Sequence, residues 1–435
     1  MQLKYNELAG NLLQQMLRIN LGTRVILVRH GESTFNAQGR HQGSSDESVL
    51  TEIGRSAARQ TGTFLRGITF DAVYTSSLKR TQETASEMLA MMEPAIELNK
   101  IHTTYALREI DLPAWQGLSH REVQEKFAQD YRCWRQCPHE FRMATPEQYS
   151  GLQPDQVQQP CAGSIKDAAP LCSGSINAAA TQTKPKGLTS LAGNPLYTFP
   201  VLDLYSRAQQ FWQEILPDHR NQTLLIVSHS GTIRALIATA LGLTPERYHA
   251  LQQSNCGISI LNFPDGYQAP AQLEALNLTT HLGETLPPTK ADPKGLRLLL
   301  VPSGNEAQMR RVAQLLKTES IHFSISGTDH EAEAIATTIL QYHPATVQLQ
   351  VLRDDFPQVW QQAITARSSL TTNSSQLITG LVVGINYIIQ RLIRQVLGMN
   401  CDEIGNLQLR QGAVSVIHYP LAERSPMLQA MNIAG

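Results

Sequence analysis

Residues 25–31 read VILVRHG: four apolar residues, then arginine, histidine and glycine without a pause. So short and continuous an apolar run is the pattern of a strand buried on both faces. Arg29 and His30 therefore stand where that strand ends. Two adjacent nitrogen-rich side chains repel when both are charged, so an anion is expected between them. The pattern recurs along the chain. FDAVYTSSLKRT (70–81) is a strand passing into a helix, with Arg80 at its opening, that continues as QETASEMLAMM. TLLIVSHSGT (223–232) is a strand ending on His229, with the helix IRALIATALGL behind it, and GISILNF (257–263) reads as the closing strand. TEIGRSAARQTGTFLR (51–66) is helical, capped by Thr51, with Ala58, Thr61 and Leu65 at helical spacing. This alternation predicts an α/β three-layer sandwich around a mostly parallel sheet.

At 435 residues the chain is too long for one ordinary core. Lys+Arg 36 balance Asp+Glu 37, so no global field draws in nucleic acid or an acidic membrane. Any anion has to be held by a local cluster. Six cysteines are too few for a disulfide scaffold, and Cys133 and Cys137, four apart on a helix, read as two reduced thiols. Residues 1–23 form an N-terminal extension, amphipathic at Leu12, Leu13, Met16 and Leu17 and without the apolar core of a signal peptide. A cytoplasmic protein is expected. The apolar stretch Leu377–Ile389 is broken by Gly380, Gly384 and Asn386 and is too short to span a membrane.

Residues 24–282 read as a catalytic domain and 283–295 as a linker rich in proline and glycine. Within the first, 144–199 is an insertion of Ala, Ser, Thr, Gln, Gly and Pro, expected to be flexible. It falls between Glu109 and His229, either as a lid or as an excursion that touches nothing.

After the linker the pattern restarts over 296–435. LLLVPSG (298–304) echoes VILVRHG, VQLQVLRDDF (347–356) echoes TTYALREIDL, GLVVGINYIIQRLIRQVLGM (380–399) echoes TLLIVSHSGTIRALIATALGL, and AVSVIHYP (413–420) echoes GISILNFP. The chain reads as a duplication whose second copy is degenerate: Pro302-Ser303 replace the Arg-His pair, Ile385 replaces His229, and Glu331 falls near the place of Arg80. Packing, dimerisation or ligand sensing are the roles open to it.

Arg29, His30, Arg80 and His229 all lie at strand ends, and Glu109 sits in ALREIDLPAWQG between them. Carboxyl ends of strands border the ligand crevice of an open α/β sheet. Two arginines, two histidines and a glutamate ask for an oxyanion with more than one charge, and a phosphoryl group fits. A neutral imidazole can attack phosphorus, a protonated second imidazole can hold a phosphoryl oxygen, and a glutamic acid can protonate the leaving alkoxide. No HExxH, CxxC pair or dense carboxylate cluster suggests a metal, and no cofactor is implied.

LVRHGESTFN, TSSLKRTQETA, LREI and VSHSGTIRAL resemble the motif set of the histidine phosphatase superfamily, in its phosphoglycerate mutase-like branch. The resemblance implies His30 as nucleophile, Arg29, Arg80 and His229 as the rest of the phosphate pocket, Glu109 as proton donor, and Asn36, Gln42 and Gly43 as substrate contacts. Mutases of this branch carry arginine after the catalytic glutamate and tyrosine two places later; Ile110 and Leu112 stand there instead, which favours hydrolysis over transfer. GRHQGSSDESVLT, ALREIDLPAWQGL, CWRQCPHEF and ALQQSNCGISILNF resemble the 2-carboxy-D-arabinitol 1-phosphate phosphatase family, which also has a degenerate second half. That implies a small sugar phosphate that inhibits Rubisco as substrate, in a photosynthetic host. A carboxylated ester needs a further cation, for which Arg40 is the candidate and His41 the second choice. Phosphoglycerate mutase and a non-catalytic phosphate-binding regulator are the competing readings, and a homodimer is compatible with any of them.

Overall fold

The computed structural model describes residues 22–144, 197–289, 294–327, 330–352, 359–360, 362, 376–400, 405–421 and 425–434. In the first half the strands are β1 (Thr23–Arg29), β2 (Ala72–Ser76), β3 (Ile101–Thr104), the two-residue β4 (Met143–Ala144) and β5 (Tyr197–Thr198), β6 (Thr223–Ser228), β7 (Ile258–Phe263) and β8 (Gln272–Leu278). The second half adds β9 (Gly295–Pro302), β10 (Phe323–Gly327), β11 (Val347–Val351), β12 (Leu377–Gly384), β13 (Ala413–Tyr419) and β14 (Met427–Ala434).

Twelve of these form one sheet in the order β11-β10-β12-β9-β13-β14-β8-β7-β1-β6-β2-β3. Read outward from the β14–β8 joint, the two halves have the same order. Parallel strands occupy both flanks, as in β1–β6, β2–β6 and β2–β3, whereas the central strands from β9 to β1 pair antiparallel. The residues read as a second domain thus extend the sheet of the first, and the core on each face runs through both halves.

Strand alternation explains the layers. Val25 and Leu27 of β1 face a core that includes Trp212 and Leu236 from the helices Pro200–Ile215 and Ser230–Leu241. Ile26 and Val28 face the opposite core, with Ala58, Leu65 and Met88 beside the helices Glu52–Phe64 and Lys79–Leu89. The helix expected over 51–66 is the first of these, and Thr51 caps it by accepting the Gly54 N–H at 3.0 Å.

Two expectations change. GISILNF is not the closing strand of the first half, because β8 follows it and carries the joint to β14. Its sequence QLEALNL hides it, since Glu274 and Asn277 interrupt the apolar pattern. Both are buried, Glu274 in an ion pair with buried Arg24 at 2.9 Å. The insertion has anchored ends: β4 and β5 pair Met143 with Thr198 and Ala144 with Tyr197. Its residues 145–196, the N-terminal residues 1–21 and the linker residues 290–293 lie outside the described residues. Among those described, no helix is long and apolar enough to cross a membrane.

Candidate active site

β1 and β6 run parallel, Arg29 opposite Ser228, so His30 and His229 emerge side by side beyond the last rung, with the His30 N–H on the Ser228 carbonyl at 2.9 Å. Their ring centroids lie 5.2 Å apart. β2 lies on the other side of β6 and delivers Arg80 from the first turn of the helix behind it. Both guanidinium groups are buried. Arg29 donates from Nη1 to the Gln253 carbonyl at 3.0 Å, and Arg80 donates to the carbonyls of Ser45 at 2.7 Å and Gly43 at 3.0 Å. No carboxylate lies within 4.0 Å of either among the described residues. Burial lowers each pKa to about 10, against a partial offset from Glu109, so both remain charged near neutrality.

The tautomer of His30 follows from its neighbour. Its Nδ1 lies 2.7 Å from the Gly31 carbonyl, which can only accept, so Nδ1 carries the proton. In the neutral ring the lone pair is then on Nε2, the nitrogen that could act as a nucleophile. The backbone around it is held as well: Gly31 N–H donates to Thr84 Oγ1 at 3.0 Å, and Asn255 Nδ2 donates to the His30 carbonyl at 2.9 Å.

His229 departs from expectation. Burial first, then the positive fields of Arg80, His30, Arg29 and Arg207, hold its pKa well below the ordinary histidine value. These effects favour the neutral ring in the protein alone, and the anionic charge of a phosphoryl group would act in the opposite direction, toward the protonated imidazole expected from sequence. Its Nε2 lies 2.9 Å from Ser76 Oγ, and its buried Nδ1 has no hydrogen-bond partner among the described residues. With Ser76 donating to Nε2, the single N–H sits on Nδ1 and is available to a phosphoryl oxygen.

Glu109 follows a short 3-10 turn, Tyr105–Leu107, and reaches the start of the helix Ser230–Leu241. One oxygen accepts the N–H groups of Ile110 at 2.9 Å and Thr232 at 3.2 Å; the other accepts that of Gly231 at 3.1 Å. A Cβ on Gly231 would sit 2.4 Å from both Glu109 Oε1 and the Tyr248 hydroxyl, so only glycine lets the carboxylate in. Arg207 donates to the carbonyls of Arg108 at 2.5 Å and Glu109 at 3.3 Å, and Thr232 Oγ1 also donates to that of Arg108.

Asn36, Gln42 and Gly43 line one wall. Ser33 Oγ lies 2.9 Å from Gln42 Oε1 and 3.1 Å from Asn36 Oδ1, with one proton to share between them, and the Asn36 oxygen also takes Asn255 Nδ2 at 3.1 Å. Arg40 is placed differently. It is exposed and donates to the Gly117 carbonyl at 2.8 Å, which ties it to the neighbouring turn. His41 is no cation either, since burial and neighbouring His120 push its pKa down to about 4. The two rings share a hydrogen bond, Nδ1 of His120 to Nε2 of His41, at 3.0 Å.

Because folding depresses the His41 pKa from ~6.5, its contribution to stability is complete above that value and is lost as pH falls toward about 4. The urea midpoint of the wild type therefore declines from pH 7 to 4.5, and His41→Gln makes the decline shallower. Equal slopes for the two proteins would show that His41 titrates normally.

Ser76, Thr84, Arg207, Gln253 and Asn255 were not singled out from sequence. Only a polar run such as QQSN (252–255) directly before an apolar strand could have flagged any of them.

The histidine phosphatase superfamily (branch 1) model matches residues 25–175 and 193–276, more than half of the chain. The chain belongs to the histidine phosphatase superfamily. Two plant members are similar to it: a probable 2-carboxy-D-arabinitol-1-phosphatase of Arabidopsis thaliana, 34% identical over 61% of this chain and 44% of that protein, and the 2-carboxy-D-arabinitol-1-phosphatase of Triticum aestivum, 32% identical over 65% and 46%. The chain thus spans less than half the length of either. Phosphoserine phosphatase 1 of Hydrogenobacter thermophilus is 28% identical over 60% of this chain and 95% of its own.

Proposed function

We propose that this member of the superfamily is a phosphomonoesterase working through a phosphohistidine, with a carboxylated sugar phosphate such as 2-carboxy-D-arabinitol 1-phosphate as substrate class. The observation that carries the reading is the His30 ring, its Nδ1 proton fixed on the Gly31 carbonyl, beside His229 in a pocket walled by two buried guanidinium groups. His30 Nε2 attacks phosphorus as the ester P–O bond breaks. Arg29, Arg80 and His229 Nδ1–H take up charge on the equatorial oxygens. The leaving oxygen takes a proton from Glu109. In the second step Glu109 recovers a proton from water, whose oxygen displaces His30 and releases phosphate. The cations are guanidinium groups, so the scheme draws on no metal.

Hydrolysis is favoured over a mutase reaction because Ile110 and Leu112, which stand where mutases of the branch carry arginine and tyrosine, are buried in the apolar core and offer nothing to a second phosphate. The sugar class is supported by the names of the plant relatives. A panel of phosphate esters, including the carboxylated pentitol phosphate and 3-phosphoglycerate, assayed with and without EDTA, tests both. Turnover of phosphoglycerate to its isomer without phosphate release would replace this reading with the mutase.

For the carboxylate, the structure favours Arg108 over Arg40. Arg80 holds the carbonyls of residues 43 and 45, and Arg108 holds that of Ser44 between them at 2.7 Å. Arg108 also lies 4.6 Å from the ring of exposed Tyr105 and is less buried than Arg80. Arg108→Gln is expected to lower kcat/KM about 10-fold or more for the carboxylated ester and much less for its uncarboxylated counterpart, as loss of a charge-assisted contact would. Arg40→Ala is expected to change neither. An equal loss on both esters would remove Arg108 from substrate selection.

A further inference from the structure

The joint between the halves has an approximate two-fold relation centred where Leu276 of β8 faces Met431 of β14. Its contacts come in pairs. Asn277 and Asn432, the next residues, both take left-handed backbone, φ 52° and 63°, which asparagine tolerates better than most residues. Their N–H groups donate to Ser259 Oγ and Ser415 Oγ. Each side-chain amide crosses the joint: Asn277 Nδ2 donates to the Gln429 carbonyl and Asn432 Nδ2 to the Glu274 carbonyl, both at 2.8 Å. The main chain repeats the relation, with Gln252 N–H on the Leu428 carbonyl and Gln408 N–H on the Leu273 carbonyl, both at 3.0 Å.

The side-chain oxygens keep the relation, each accepting a backbone N–H two residues beyond the glutamine, but the loops they hold differ in what they carry. Asn432 Oδ1 accepts the N–H of Arg410 at 3.0 Å, in a loop that bears no catalytic group. Asn277 Oδ1 accepts the N–H of Ser254 at 2.6 Å. Ser254 stands between Gln253, whose carbonyl holds the Arg29 guanidinium, and Asn255, whose amide holds the His30 carbonyl. Gln429 of β14 adds a second tie, Nε2 to Gln252 Oε1 at 3.2 Å. Gln252, Gln253, Asn277 and Gln429 are all buried. A Cβ on Gly257 would lie 2.5 Å from Asn277 Oδ1, so the loop closes directly over this amide.

We propose that the second half, which lacks catalytic residues, is the wall against which residues 252–257 are held, and that Asn277 is the positioning residue that carries this hold to Arg29 and His30. Loop 252–257 carries no group that reacts. It sets where a guanidinium and a nucleophile stand, and displacement of such groups by a fraction of an ångström is costly to in-line attack. The inference rests on the phosphate-pocket reading of those two residues but not on which ester is the substrate.

The pseudo-symmetry supplies its own control. Asn277→Gly and Asn432→Gly each keep a residue that accepts left-handed backbone and remove one amide that crosses the joint, so both are expected to lower Tm by similar amounts. Only Asn277→Gly is expected to reduce kcat/KM for p-nitrophenyl phosphate, by about 10-fold or more, and to weaken binding of inorganic phosphate, measured by calorimetry. Asn432→Gly is expected to stay within about two-fold of wild type in both. Equal losses in the two variants, or a change below about two-fold in Asn277→Gly, would overturn the proposal. Phosphate binding separates this outcome from failure of the hydrolase reading: a wild type that binds phosphate but turns over no ester sinks only the latter. Should Asn277→Gly not fold, Gln429→Met tests the same wall from the second half. A fall of several-fold in kcat/KM supports the proposal, and an unchanged value overturns it.

Discussion

His30→Ala is expected to lower kcat by on the order of 10⁴-fold or more for every ester the protein hydrolyses. The size of the effect follows from the role. In the proposed role the ring supplies the atom that bonds to phosphorus, and among the described residues the only imidazole paired with it in the site is His229. His229 is 5.2 Å away, but its Nε2 is engaged by Ser76 and its remaining nitrogen carries the proton. Tm is read alongside, so that loss of the nucleophile is told apart from loss of the fold. Rapid-quench labelling gives the direct check: phosphate from substrate should appear on the wild-type protein, in an acid-labile, base-stable form, and be absent from the variant. Native turnover by His30→Ala would end the phosphohistidine mechanism.

Glu109→Gln is expected to produce a loss that depends on the leaving group. For an alkyl ester, whose alkoxide cannot depart unprotonated, kcat should fall about 10²- to 10⁴-fold. For p-nitrophenyl phosphate, whose phenolate needs no proton, the loss in the first step should be within about 10-fold. Position complicates the substitution. Both oxygens of Glu109 accept backbone N–H groups, so a glutamine amide must set its own N–H against one of them. Misplacement of that kind slows both esters alike, whereas loss of the proton slows only the alkyl ester. The ratio of the two effects therefore isolates the chemistry. A ratio near one would assign Glu109 a structural role at the helix terminus.

The two predictions concern residues of different legibility. Arg29 and His30 are visible in VILVRHG because an apolar run ended by charged groups is a local pattern, and the strand carries them to the crevice wherever its neighbours lie. Glu109 needs the motif around it, since a glutamate in a loop signals nothing alone. Ser76 and Asn255 were unreadable: their work is done on side chains or carbonyls that are 153 and 225 residues away in sequence. Arg40 misled for a related reason. Its loop reaches buried Arg80 through the carbonyls of Gly43 and Ser45, but a long side chain on a turn has many rotamers, and here it bonds to the Gly117 carbonyl. Arg108, in the same LREI segment as Glu109, had the more informative position.

The sequence by itself determined the class of fold, the repetition of its strands and the five residues from which the proposed site is built. Each of those depends on near-neighbour periodicity or on a short motif. Only the tertiary structure decided that the two halves share one sheet, that burial and neighbouring cations lower the pKa of His229, and that the pocket's loop is tied to strands of the second half. Desolvation, Coulomb fields and buried hydrogen bonds depend on distances in space, and residues far apart in the chain set those distances.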